Sequence, residues 1–536
     1  MLSRVLSVST TRTLFIAIAL FLLALGINII GLDFLSLTSD ECFSIYHAQM
    51  SPRLIYHHLS SGNNPPLFEW MLHYWMRFFG DSAFSVRLPS AIFSSLTTAL
   101  IYVLGTQISA ARSKENVANS SLGMIAAILF LSSNYSTFLA HEARAYNLTL
   151  FLGILTTLLF VRAIKNESPW QFFTFGLTGG LLCLSHFFGL WILIAIGFFW
   201  VLNTKGKYPF ILFVGWAMLG FSMSFGWYLP NIWHRFVDSA SQGTWVNPAP
   251  WDAPYLTLWK YLNTPVATIL AMILLVYAVV KLVAHQPSTD KPAVQKQNAH
   301  LLLWLFALPF FGQWLMSLDH PFSIPMFTER YASITLPFLC LMIAMGLSGL
   351  REYYNQRLYN FALALFFSTI LSGKNFTPPN FAAAKESLKL VYNHTKNQAI
   401  NTSNEVPRPA NQTTPLIIEP YHAAFQVLYY KDHKRFTEYH PSNIYEHLAS
   451  QLSHSNIWIL KSKNSFDSLG LSQSPKLAYL HFGSEKSAHT KTIENQLKQL
   501  TAKGGKIESH SIQIPKTLWG TWEIKSEAEF WLIERK

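Results

Sequence analysis

The residues of this chain that could do chemistry are few, and they stand in short clusters between long apolar runs. The first cluster is the acidic pair Asp40-Glu41. A carboxylate at the edge of an apolar run can accept a proton from an incoming hydroxyl or hold a divalent cation. At the start of a helix, Ser39 or Asp40 could equally serve as a cap that favours the positive end. Spacing leaves both roles open. Asn63-Asn64-Pro65-Pro66-Leu67 follows, then Gly80-Asp81 and Arg87-Leu88-Pro89-Ser90. There Asn64 can bind sugar or backbone and Arg87 stands at the mouth of an apolar run, although ordinary loop and cap chemistry accounts for these residues too. His141-Glu142-Ala143-Arg144-Ala145-Tyr146 and Glu329-Arg330-Tyr331 each set an arginine beside an apolar run. A phosphate would pair with such an arginine, and so would Glu142 or Asp40 in a structural ion pair. His186, in Ser185-His186-Phe187-Phe188-Gly189, is either a packed, hydrogen-bonded ring or a ligand. His57, His58 and His73 do not compose a metal site, and Cys42, Cys183 and Cys340 are too few and scattered for a disulfide framework or a zinc site.

The elements that must position these groups belong to a membrane protein. Of 536 residues, 51% are hydrophobic and 13% charged, too little polar surface for a soluble globule of this size. The net charge of +12 resides mainly in Lys and Arg flanking apolar runs, which fits the positive-inside rule and anionic lipid. No basic stripe with interleaved aromatics argues for nucleic acid.

Apolar runs near 13–32, 83–107, 122–140, 147–163, 170–183, 186–201, 209–229, 264–284, 301–317, 331–349 and 358–373 predict about eleven transmembrane helices. The first run is long for a signal peptide and lacks a cleavage site, so it reads as an uncleaved span. Splitting 170–201 at Ser185-His186 makes every cytoplasmic segment basic: Arg4 and Arg12, Arg112 and Lys114, Arg162 and Lys165, Lys205 and Lys207, Lys281, Lys291 and Lys296, Arg351 and Arg357. The N-terminus is then cytoplasmic, and Asp40, Arg144, His186 and Arg330 share the outer face.

The transmembrane domain covers residues 1–375, with a first outer loop at 33–82. In that loop Glu41–Leu59 predicts one interfacial helix, and Pro65-Pro66 starts a second. Residues 376–415 form a helix and a polar, Pro- and Asn-rich linker. Residues 416–536 alternate short strands with a helix near Thr490–Lys503, a small soluble extracytoplasmic α/β domain without a catalytic motif.

In this order, the acidic pair, Pro-Pro segment, Gly-Asp, Arg-Leu-Pro-Ser, Glu-Ala-Arg-x-Tyr, Ser-His-Phe-Phe and late Arg-Tyr resemble the C-type glycosyltransferases of the protein O-mannosyltransferase and aminoarabinose-transferase superfamily over about residues 10–350. The resemblance implies a multi-span, mainly α fold in a membrane, in bacteria the inner membrane. It implies inverting transfer of a sugar from a polyprenyl-phosphate donor to a lipid, glycan or protein acceptor on the extracytoplasmic face. Asp40 inherits the role of base and Glu41 assists it or helps bind a cation; Arg144 and Arg330 position the donor phosphate. Asn64, Arg87, Glu142, Tyr146, His186 and Tyr331 complete the substrate-binding set. The aminoarabinose-type members carry a metal-ligating Glu before Lys-Pro-Pro, whereas this chain has Asn63 and Asn64, which puts that metal in question and leaves the metal unassigned. A transporter or flippase would need ionisable residues within spans and an internal repeat. An O-antigen-type polymerase would place its chemistry in a late outer loop.

Overall fold

The computed structural model describes residues 8–374 and 415–534, apart from short segments within each, the longest being 111–120 and 460–470. The expected linker, all but Pro415, lies outside the described residues, as do Asn63, Arg4, Arg112, Lys114, Lys205, Lys207 and Lys291.

Apolar runs unbroken by turn residues become helices. In chain order these are α1 (Val8–Asn28), α2 (Ser39–Ala48), α3 (Pro52–Ser60), α4 (Leu67–Phe79), α5 (Ala83–Ala110), α6 (Ser121–Ser132), α7 (Asn134–Ala140), α8 (Tyr146–Asn166), α9 (Pro169–Ser185), α10 (Gly189–Asn203), α11 (Phe210–Phe225), α12 (Ala253–Leu262), α13 (Pro265–Ala284), α14 (Ala293–Ser317), α15 (Glu329–Ala332), α16 (Leu336–Leu350) and α17 (Gln356–Leu371). Every run expected to span is helical. Among the described residues, seven helical stretches are long and apolar enough to cross a membrane, and eight if α6 and α7, bent by 67°, form one broken span. That is fewer than about eleven, because α9, α10 and α17 have 17, 15 and 16 residues, short of the roughly 20 that a bilayer asks of a helix.

Two features depart from periodicity. The single helix expected over Glu41–Leu59 is two, because Pro52 has no N–H to continue the ladder and disfavours a helical Ser51. The chain also breaks between α9 and α10, where His186 is extended at φ −160°, ψ 136°.

Side-chain size governs how the helices meet. On α9, Gly176 and Gly180 face α11 so closely that a Cβ on either would run into Ala217 or Ser224, and one on Gly220 of α11 would run into Phe173. Small residues four apart let two backbones approach. Buried almost all round, α16 is the centre of the bundle. The outlying α1 instead leaves Leu14, Phe15, Ile18, Leu22 and Leu23 exposed, an apolar flank suited to lipid.

The C-terminal region is a mixed five-stranded sheet, β1 (Leu416–Glu419), β2 (Ile457–Ile459), β3 (Lys476–Phe482), β4 (Lys506–Thr517) and β5 (Trp522–Glu534), in the order β2-β1-β3-β5-β4. β1 pairs in parallel with β2 and β3, and β5 pairs antiparallel with β3 and β4. Three helices accompany it: α18 (Ala423–Lys431), α19 (Ile444–Ser453) and α20 (Ala488–Thr501). Ile493 and Leu497 of α20 pack with Ile417, Tyr479 and Ile533 of the sheet, as their spacing predicts. α18 lies against α2.

Candidate active site

The site begins with a helix start. Thr38 caps α2: its Oγ1 accepts from the Glu41 backbone N–H at 3.3 Å while the Glu41 carboxylate accepts from the Thr38 N–H at 2.8 Å. This reciprocal pair follows from Thr-x-x-Glu, so the cap is Thr38 and neither Ser39 nor Asp40.

Adjacent residues on a helix point about 100° apart, and the acidic pair divides accordingly. Glu41 turns inward and is fully buried. Its oxygens accept from Arg87 Nε at 2.7 Å and Nη2 at 2.8 Å, and Oε1 also accepts from the Ala143 N–H at 2.9 Å. Burial opposes its ionisation, but the facing guanidinium and the backbone donors outweigh it and hold the carboxyl below its ordinary value. Arg87, also buried, donates to the Leu32 carbonyl at 2.9 Å. Glu41 and Arg87, expected to assist the reaction and to bind substrate, hold each other and knit α2, α5 and the turn before α8 together.

Asp40 turns outward, its side chain about half exposed at 51%. Arg330 Nη1 donates to its Oδ2 at 3.0 Å, and Arg330 Nη2 lies 3.2 Å from Glu142 Oε1. Arg144 comes from the other side, with Nη1 donating to the Asp40 carbonyl at 3.2 Å and to Ser44 Oγ at 2.8 Å, and with Asn64 Oδ1 at a long 3.5 Å from Nη2. Two arginines from α15 and the α7–α8 turn therefore converge on Asp40, Arg330 on its half-exposed carboxylate and Arg144 on its backbone carbonyl, joined across 290 and 104 residues of sequence.

Each partner is fixed in turn. The short α15 is capped by Thr328, Tyr261 donates to the Glu329 carbonyl at 2.7 Å, and Lys260 pairs with Glu329 at 2.7 Å. Arg330 also lies over the Phe138 ring, 5.9 Å from its centroid. Burial pushes Glu142 up to about 7 despite Arg330, and its Oε2 is buried without a partner.

Behind the arginines stands an aromatic wall. The His186 ring is 5.8 Å from Tyr146 and 5.3 Å from Tyr331, which stacks on Phe188 at 4.6 Å. Burial, reinforced by the Arg144 charge, brings His186 down to about 3, so its imidazole is neutral. Sequence reasoning missed Ser44, which links Arg144 to Glu69 by donating to Glu69 Oε1 at 2.9 Å. The signal was its place one turn beyond Asp40 on the same helix face. Glu69 is buried, which raises its pKa against the pull of Arg144 and Ser44.

Among the described residues no three His, Cys, Asp or Glu side chains gather closely enough to hold a metal ion. With Glu41 engaged by Arg87, the acidic pair does not supply two ligands to one cation.

Residues 63–232 match the family model of dolichyl-phosphate-mannose-protein mannosyltransferase. No curated protein matches the chain in sequence. The fold is similar to that of ArnT from Cupriavidus metallidurans in the apo state, at 9% identity and a TM-score of 0.52 over 97% of this chain and 98% of that one. It is likewise similar to ArnT from the same organism bound to undecaprenyl phosphate, at 11% identity and a TM-score of 0.50 over 96% and 97%. The matched segment holds Asn64, Arg87, Arg144 and His186, and the fold brings Asp40 and Arg330 to them, so in part of its sequence and in its fold the chain is similar to the membrane glycosyltransferases of the mannosyltransferase and ArnT kind.

Proposed function

We propose that the chain transfers a sugar from a polyprenyl-phosphate carrier to an acceptor hydroxyl on a lipid, glycan or protein, with inversion, on the extracytoplasmic face of the bacterial inner membrane. The single observation carrying this reading is the half-exposed Asp40, its carboxylate bonded by Arg330 and its backbone carbonyl by Arg144. Both the matched family and the ArnT complex are named for polyprenyl phosphates, which supports the donor class.

The donor phosphate sits against Arg330 and Arg144, the pyranose against the wall of Tyr146, His186 and Tyr331. The acceptor oxygen attacks the anomeric carbon, the bond from that carbon to the phosphate oxygen breaks, the acceptor proton passes to Asp40, and polyprenyl phosphate leaves. Fixed positive charge at the departing phosphate stabilises it, and removing one such donor typically costs about 100-fold or more. The base adds roughly 100-fold to 10,000-fold. Glu41 acts by holding α2 in place. The basic flanks and the helices at all eleven expected runs support an N-terminus inside and Asp40 outside.

The test is release of polyprenyl phosphate from a panel of polyprenyl-phosphate sugars by the purified chain in lipid. Asp40→Asn should abolish release while the fold survives, because Asp40 is half exposed and Asn keeps its shape. A fully active variant would overturn the assignment.

A further inference from the structure

The C-terminal sheet domain carries no catalytic motif, yet its helix α18 reaches the loop that presents Asp40. Gln426 Nε2 donates to the Leu37 carbonyl at 2.8 Å, and the Leu37 N–H donates to Tyr430 Oη at 2.6 Å. Both backbone groups of one residue are thus taken by a helix nearly 400 positions away (separations of 389 and 393). Leu37 immediately precedes Thr38, the cap on which α2 starts. The contact extends along α2, where Phe425 meets Phe43 edge-on at 5.5 Å and Tyr46 at 5.4 Å, and Phe436 meets Tyr46 at 5.6 Å. Tyr429 donates to the Asp81 carbonyl at 3.0 Å, tying the far end of the same loop, just past Gly80.

We infer that the C-terminal domain is a working part of the transferase, in which Gln426 and Tyr430 are positioning residues that fix the Leu37 peptide and thereby the direction in which α2 presents Asp40. The inference rests on the reading of Asp40 as the base. Its physical basis is the cap. The orientation of a short helix follows the backbone at its entry, and Leu37 is the last residue before that entry. Buried peptide groups seek partners, and here the partners come from another domain. Without them the first turn of α2 gains freedom while the Glu41–Arg87 pair still anchors its inner side, so Asp40 swings without the loop unfolding. Reacting groups displaced by about 1 Å can lose 100-fold in rate.

Tyr430→Phe and Gln426→Ala each delete one hydrogen bond and leave Phe425 and Phe436 packed. The full chain in lipid nanodiscs is assayed for polyprenyl-phosphate release, and amide exchange over residues 37–45 is followed by mass spectrometry. Each variant should lower kcat about tenfold, with KM for the donor within about twofold, because the arginines that hold the donor are untouched. Amide exchange at 37–45 should quicken, while Glu508→Gln, on an exposed part of β4, changes neither. A double variant that turns over like the unaltered chain would overturn the inference, and so would quickened exchange without loss of kcat. A chain that turns over no donor at all refutes the polyprenyl-phosphate reading instead, while unaltered exchange in the variants still refutes the brace.

Discussion

At the residue scale, what matters is how one helix turn divides two neighbouring acids. Asp40 meets solvent and two arginines; Glu41 meets only protein. Breaking the Glu41–Arg87 pair from one side leaves a buried charge uncompensated, at a cost of about 3–5 kcal/mol. Arg87→Met should therefore lower thermal stability sharply, and Arg87→Met with Glu41→Leu should recover most of it, as read by melting in detergent. Glu142 gives a pH dependence of known sign. Its folded pKa is raised to about 7, above its unfolded value near 4.5, so its contribution to stability is whole below about 4.5 and is lost as pH rises through about 7. Once ionised it also competes with the donor phosphate for Arg330, 3.2 Å away. KM for the donor should therefore rise as pH passes about 7, and Glu142→Gln should flatten both profiles. Residue types and their order made Asp40, Arg144 and Arg330 legible in the sequence, since arginines at the ends of apolar runs need an anion. The split between Asp40 and Glu41 was not legible, because it depends on which side of α2 faces α5, a tertiary fact. The capping box Thr38-x-x-Glu41 was there to read.

At the element scale, composition gave away the helices, and single residues decided where they stop. Uninterrupted apolar runs located every long helix, and the extended His186 separates α9 from α10 at the expected turn. The break before Pro52 shows the limit of periodicity: Phe43, Tyr46, Met50 and Leu54 keep a helical beat across a point where the backbone cannot continue it. The seam between α9 and α11 depends on the absence of side chains. Gly220→Val should force the helices apart and destabilise the bundle by about 1–3 kcal/mol, the usual cost of overpacking. Gly197→Ala, at a position with open space around it, should be neutral in the same melting assay.

At the scale of the whole molecule, the sheet domain was legible as strands and a helix, but its seat on α2 was not. The contacts of Phe425, Gln426 and Tyr430 join segments nearly 400 residues apart, and nothing in the local pattern of either announces the other. Sidedness is open to a direct measurement, helped by the burial of Cys42, Cys183 and Cys340, which keeps the background low. In sealed, right-side-out vesicles, Glu508→Cys should react with an impermeant thiol reagent added outside, and Arg357→Cys, in an exposed segment of the predicted cytoplasmic side, should react only after permeabilisation. The reverse pattern would invert the charge-derived topology.

The long reach from Leu37 to Tyr430 also sets an order of events in time. A ribosome delivers the loop with Asp40 early, then the turn with Arg144, then Arg330, and only afterwards the helix that holds Leu37. A chain halted before residue 423 contains every charged group of the site and lacks its brace. Contacts this distant in sequence close late in folding, so under the role proposed for Gln426 and Tyr430 a truncated product in the membrane should hold the charged groups of the site and turn over donor slowly.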